Sequence, residues 1–196
     1  MSKKLATAVI AVALPFSAIA APESYTADPY HTYPNFEVTH NGMSSMRGQF
    51  EKSAGKLTID RAAKTGTLEI TVQTASLNTG DRDKGSRPRS RDDHLRSPDF
   101  FNVAEFPTMV YKATSVKFSG DNPASIEGSL TLLGTTKPVS LHVDFWKCGP
   151  HPGSKREMCG ANASGSFKRS DFGMKFGIPN VSDEVKLWIG IEAYKD

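Results

Sequence analysis

Pro138-Val139-Ser140-Leu141-His142-Val143-Asp144-Phe145-Trp146 decides the fold class of this chain. Val139, Leu141, Val143 and Phe145 occupy one phase of a two-residue period, with Ser140, His142 and Asp144 on the other. Successive side chains of an extended strand point to opposite faces, so this spelling describes a strand with one face in an apolar interior and the other in water. The period returns in Leu68, Ile70 and Val72 against Glu69 and Thr71, and again in Val185, Leu187, Ile189 and Ile191. Further strands are expected over 35–40, 46–51, 56–60, 67–72, 108–116, 125–132, 138–146, 163–169 and 185–193, with Gly42, Gly48, Gly55 and Gly66 as turn or bulge points. The fold is therefore all-β and antiparallel. Such sheets pack on one another or close into a barrel, and a barrel of about eight strands can hold one small ligand.

Alternation stops after Val72. Residues 76–96 are polar and charged and lead into Ser97-Pro98-Asp99-Phe100-Phe101-Asn102, which reads as a long loop with one or two short helices. Arg82, Lys84, Arg87, Arg89, Arg91 and Arg96 stand there against Asp81, Asp83, Asp92 and Asp93. Two readings are open. The guanidinium groups form an electropositive mouth suited to a phosphate or another anionic headgroup, or the opposite charges pair locally in a solvated loop.

The N-terminus reads as an export signal. Lys3 and Lys4 precede an apolar stretch from Leu5 to Ile19, and Ala18-Ile19-Ala20-Ala21 offers a small-residue cleavage site. The apolar run falls short of the ~20 residues that span a bilayer. Residues 1–21 are thus expected to be removed, leaving 22–196 as one periplasmic domain with no stable membrane span. Lys3 and Lys4 supply two units of the formal charge of +3, which leaves too little for the electrostatic footprint of a nucleic-acid binder.

Cys148 and Cys159 are the two cysteines, and in an oxidising compartment the default is a disulfide across the loop between them. The alternative is a metal site that includes His151, but no fourth ligand is evident. The chain has no Gly-x-Ser-x-Gly elbow, His-Glu-x-x-His pair, phosphate-binding glycine loop or dinucleotide fingerprint, so no catalytic residue and no cofactor is expected. His31, His40, His94, His142 and His151 are dispersed. Of these, His31 and His40 lie near aromatic residues of the first strand region and are either hydrogen-bonded structural groups or ligand contacts. Asp171 is close enough to Arg169 in sequence to form a structural pair.

Several segments, in order, carry a resemblance. Tyr25-x-x-Asp28-x-x-His31, Phe36-x-Val38-x-His40-x-Gly42 and Gly48-x-Phe50 come first. Asp93-His94-Leu95-x-Ser97-x-Asp99-Phe100-Phe101 with Pro107, then Gly128-x-Leu130-Thr131-x-x-Gly134-x-x-Lys137-Pro138-Val139, follow. Arg169-Ser170-Asp171-Phe172-Gly173-Met174 completes the series. Together they resemble the YceI-like polyisoprenoid-binding family over essentially all of the chain after the leader. The cysteine loop also looks like that of periplasmic members. Pro98 and the Arg-rich run from Gly85 to Ser90 depart from the family pattern.

The resemblance implies an extended, lipocalin-like antiparallel barrel of about eight strands with a short helical insert. It implies an isoprenoid lipid, such as a polyprenyl phosphate or a ubiquinone, with its tail in an apolar channel. Burying ~600 Å² of prenyl surface corresponds to a gross transfer free energy of about 15 kcal/mol before association costs. The expected tail contacts are Phe36, Phe50, Phe100, Phe101, Met109, Leu130 and Phe172; His31, His40, Arg96 and Arg169 are the expected polar contacts. An apolar channel opening at one end also makes a homodimer an expectation. The competing functions are an enzyme acting on a quinone or another apolar substrate, with His31 or His40 as acid or base, and a secreted stress or interaction module in which the barrel is only a scaffold.

Overall fold

The computed structural model describes residues 21–196, so the expected export signal, apart from its last residue Ala21, lies outside the described residues. The strands are β1 (Glu23–Ala27), β2 (Tyr33–His40), β3 (Ser44–Phe50), β4 (Ser53–Asp60), β5 (Thr65–Gln73) and β6 (Leu77–Asn78), followed after a helix by β7 (Thr108–Ser119), β8 (Asn122–Leu132), β9 (Thr135–Pro150), β10 (Glu157–Lys168) and β11 (Glu184–Lys195). The helix is α1 (Arg91–Arg96). All strand pairings are antiparallel.

Eight strands close a barrel in the order β1-β4-β5-β7-β8-β9-β10-β11 and back to β1. β11 belongs to two neighbours on one side. Its C-terminal part pairs with β1 through Tyr25↔Lys195, whereas its N-terminal part pairs with β2 through Phe36↔Leu187, and β2 carries β3 and β6 outward. Closure of the ring removes most of the exposed edge that an open sheet would present.

The step from β1 to β2 explains the Asp28-x-x-His31 spacing. Asp28 Oδ1 accepts the Tyr30 N–H at 2.9 Å, and Asp28 Oδ2 lies 2.7 Å from His31 Nδ1. The Asp28 N–H donates to Glu192 O at 2.7 Å, so the turn is pinned to β11 where that strand changes partner. Burial pushes the Asp28 carboxyl up, but its bonds to His31 and Tyr30 outweigh this and hold it below its usual range. The same bond to Asp28 raises His31.

The structure moves two features of the strand pattern. Between β9 and β10 the register passes from Val143↔Ala163 to Phe145↔Asn162, which leaves Asp144 as the extra residue of a β-bulge. Such a bulge reverses the phase of the residues beyond it. Val139 and Leu141 face inward as expected, while Phe145 is turned out at 52% exposure and Trp146 is turned in. β10 also begins at Glu157, well before residue 163, because its Gly160-Ala161-Asn162 stretch is extended by pairing with both neighbours despite its weak intrinsic preference for strand.

The charged segment contains the single α-helix among the described residues. Ser90 caps it, its hydroxyl accepting the Asp93 N–H at 3.1 Å, and Asp92 and Asp93 sit favourably in the first turn. Arg96 ties the other end down by donating to Ala75 O at 3.1 Å and Leu77 O at 2.5 Å.

Candidate functional site

The barrel encloses a continuous cavity of about 680 Å³. Inward residues of β11, namely Val185, Leu187, Ile189 and Ile191, form one wall, and Leu130, Leu132, Val139 and Leu141 of β8 and β9 form another. Phe36, Phe50, Phe100, Phe101, Met109 and Leu130 all line it. Phe36 reaches its place because Gly48, directly opposite on β3, has no side chain; a Cβ there would overlap the Phe36 ring. Phe50 continues the aromatic surface, 5.8 Å from Phe36 and 5.4 Å from Phe101 between ring centroids. Tyr111 belongs to the wall, yet its hydroxyl is occupied by Val139 O at 2.9 Å, and burial pushes its ionisation upward, so it stays a neutral phenol.

Phe172 differs from the expectation. It is 2% exposed and outside the cavity lining, packed edge-on against Phe167 at 5.2 Å, because the 3-10 turn that carries it (Arg169–Phe172) folds it behind the wall. Trp146 is a lining residue that the alternation assigned to the outer face; only the Asp144 bulge brings it in.

The polar expectations separate as well. His40 and Arg169 line the cavity, and His31 and Arg96 do not. His31 is exposed and held by Asp28; Arg96 spends its guanidinium on Ala75 O and Leu77 O. Arg169 does not pair with Asp171. It is 2% exposed and donates to four carbonyl oxygens, those of Ser182 (2.9 Å), Met174 (3.2 Å), Phe176 (2.9 Å) and Val181 (2.9 Å), which folds the segment before β11 around a single side chain. Burial lowers its pKa.

The cavity reaches the surface beside α1, where lining residues Arg47 and Phe176 are exposed. Arg91 and His94, one helical turn apart, present the same face of α1 to this mouth. Of the two readings of the charged insert, local pairing is the one found. Arg82 meets Glu51, Arg87 makes a two-pronged contact with Asp81 at 2.6 and 2.7 Å, Arg89 meets Asp99, and Arg96 lies 3.5 Å from Asp93. The four guanidinium groups that line the cavity are all engaged. Arg47 bonds Glu37 at 2.7 Å, Arg87 bonds Asp81, and Arg169 bonds the carbonyls described above. Arg91 donates to the Thr79 hydroxyl at 2.8 Å, and that hydroxyl donates in turn to the buried Asp92 at 2.5 Å. The mouth is polar: two of its guanidinium groups, Arg47 and Arg87, are paired with carboxylates, and two, Arg91 and Arg169, are bonded to neutral oxygens.

Cys148 and Cys159 sit directly opposite on β9 and β10 and form a disulfide, with the sulfurs 2.01 Å apart, so neither is a thiolate ligand. His151 Nδ1 is instead an acceptor for the Gly153 and Ser154 N–H groups. Among the described residues no helix is long and apolar enough to cross a membrane.

A model of the YceI-like domain matches residues 25–193. The chain belongs to the YceI-like family. A Salmonella arizonae relative called Protein YceI is 36% identical to this YceI-like chain over 178 residues, which is 90% of this chain and 88% of the relative. Among solved structures, a Campylobacter jejuni YceI protein superposes with a TM-score of 0.65 at 26% identity, covering 79% of this chain and 87% of that one. Burkholderia cenocepacia BcnA shares the fold with a TM-score of 0.68 at 20% identity, covering 85% and 98%. So does a polyisoprenoid binding domain from Saccharophagus degradans, with a TM-score of 0.63 at 16% identity, covering 89% and 99%.

Proposed function

We propose that this YceI-like protein is a non-catalytic binder of a long-chain isoprenoid lipid, a polyprenyl phosphate or a ubiquinone, which it carries or stores in the periplasm as a single domain spanning residues 22–196. The observation that carries this reading is the continuous cavity of about 680 Å³ walled by aliphatic and aromatic side chains. An interior of this kind supplies no directional contact except at the mouth. Water exclusion therefore provides most of the affinity, and the polar rim orients the head. Family membership and the polyisoprenoid binding domain of the same fold support the identity of the tail. Phe36, Phe50, Phe100, Phe101, Met109 and Leu130 are assigned to the tail, with His40 and Arg169 at the head end; a quinone carbonyl or a phosphate oxygen would each accept from such donors. Exit of the protein from the cytoplasm rests on the leader-like residues 1–21 and is consistent with the disulfide.

The test is mass spectrometry of lipids extracted from protein purified without detergent, together with titration of the emptied protein with a ubiquinone. Recovery of a prenyl lipid and saturable uptake are expected. Protein that repeatedly yields none and takes up none would end the proposal.

A further inference from the structure

Opposite the mouth, the cavity is shut along the barrel axis. Tyr25, Cys159 and Ala193, exposed by 3%, 2% and 0%, pack with Leu57 and Ile59 beneath its floor. Below them lies a separate pocket bordered by Glu23, Arg61, Glu157 and Lys195, whose ionic groups make it a poor site for hydrocarbon.

The side wall at this end is built differently. β5 and β7 pair from Gln73↔Thr108 to Glu69↔Lys112, and there the ladder stops. Thr65, Gly66, Thr67 and Leu68 have partners on β4 alone, while β7 continues to Ser119 with partners on β8 alone. The cause is local to β7: its register against β8 shifts between Ala113 and Ser115, immediately past Lys112, and a bulge at that point bends the strand away from β5.

Across the seam so formed, the contacts are made by side chains, without a backbone ladder. A Cβ built on Gly66 would lie 3.5 Å from Val116 Cγ2, so Val116 fills the space that the glycine leaves. At its end, Lys64 Nζ donates to Gly120 O at 2.8 Å and lies 3.9 Å from the exposed Asp121 carboxylate, forming a clasp between the two neighbouring hairpin turns. The cavity lining continues into the seam. Gly66, Val116 and Phe118 belong to it, and so do Thr58 and Thr67, which lie on the outer phase of β4 and β5 with hydroxyls 2.6 Å apart. Thr67 is exposed, so the lining connects the interior with the outer surface here.

We infer that the seam between β5 and β7 is a lateral exit for the far end of a prenyl tail longer than the cavity. This rests on the isoprenoid-binding reading and adds a second opening to it. Parting the strands at this place breaks no backbone ladder; it costs the Lys64 clasp and a few dispersion contacts, which an emerging hydrocarbon replaces. Parting the laddered β4/β5 boundary would instead strand paired N–H and C=O groups. The fixed cavity volume then sets no upper limit on tail length.

Val116→Trp places an indole in the seam, and its effect is read by titrating wild type and variant with a short-tailed and a long-tailed ubiquinone. The long-tailed ligand is expected to lose about tenfold more affinity than the short-tailed one. Thr67→Cys carrying an environment-sensitive dye, with the native cysteines oxidised, gives a second readout that decides the matter if the tryptophan variant does not fold. Its emission is expected to shift blue with the long tail and to stay in place with the short one. Equal losses for both ligands, or a dye that responds to neither or to both alike, would overturn the exit. Wild-type protein that binds neither quinone and yields no prenyl lipid on extraction would instead overturn the isoprenoid reading and the exit with it.

Discussion

The two ends of this barrel bound the same cavity by opposite means. At the mouth, the lining guanidinium groups are bonded to the protein itself: Arg169 gathers four carbonyls, and Arg47, Arg87 and Arg91 each hold an internal partner. At the far end, exclusion is steric, with Tyr25, Cys159 and Ala193 packed beneath the floor and ionic groups kept outside. A hydrogen-bonded rim can present donors to a head while remaining folded, because its own bonds do not depend on the ligand. A packed floor binds nothing and yields only at a seam without a ladder. The comparison shows that a hydrophobic cavity is maintained by where its polar groups are satisfied as much as by its apolar walls.

Removing the floor is the strongest way to break the comparison. Tyr25→Ala deletes a buried ring and is expected to cost about 4 kcal/mol in urea unfolding, whereas Tyr25→Phe, which loses only the bond to Glu23 at 2.9 Å, costs about 1 kcal/mol. Similar losses for the two variants would show that the hydroxyl, and not packing, closes that end.

At the mouth, Arg169→Ala leaves four carbonyls without their shared donor and is expected to cost about 3 kcal/mol by the same measurement. Arg169→Lys recovers only part of this, because an ammonium cannot reproduce the planar fork. A lysine variant as stable as wild type would mean that charge alone organises the rim.

The far end also has a pH signature. The bond from Lys195 and that from Tyr25 pull Glu23 from 4.5 to about 2. A carboxyl lowered on folding stabilises the protein above its unfolded pKa and loses that contribution as pH falls through the folded one. The stability gap between wild type and Glu23→Gln, about 1 kcal/mol at neutral pH after allowance for solvent screening, is therefore expected to close as pH falls from 4.5 to about 2. Acid titrations followed by circular dichroism would show it; a gap that widens in that window contradicts the assignment.

The smallest effect concerns the head. Because a ubiquinone carries no charge, its affinity is expected to change less than about twofold when ionic strength is raised, since no screened attraction drives binding. A steep salt dependence in the titration would contradict a head held by hydrogen bonds to a neutral group.

Much of the barrel was legible because alternation reports burial strand by strand. Leu68, Ile70 and Val72 and the series from Val185 to Ile191 all line the cavity. The pattern failed where geometry is set between strands. The Asp144 bulge exchanged Phe145 for Trp146, and no period in one strand announces a residue left unpaired against its neighbour. Arg169 and His31 were visible as polar residues in distinctive segments, but their work, holding a loop and holding the turn before β2, is defined by carbonyls and carboxylates brought to them by folding. β1 and β6 were missed because five and two residues are too short to establish a period.

By itself the sequence determined the all-β class, the inward phase of most strands, the helical interruption and the cysteine pair, since each follows from neighbours along the chain. Only the tertiary structure decided that the sheet closes around an open cavity, that the guanidinium groups at its mouth are bonded within the protein, and that β5 and β7 part company beyond Glu69 and Lys112. The physical reason is that periodicity records which face of a strand avoids water. Whether the space behind that face is filled, and which edges meet, depends on pairings between residues far apart in the chain.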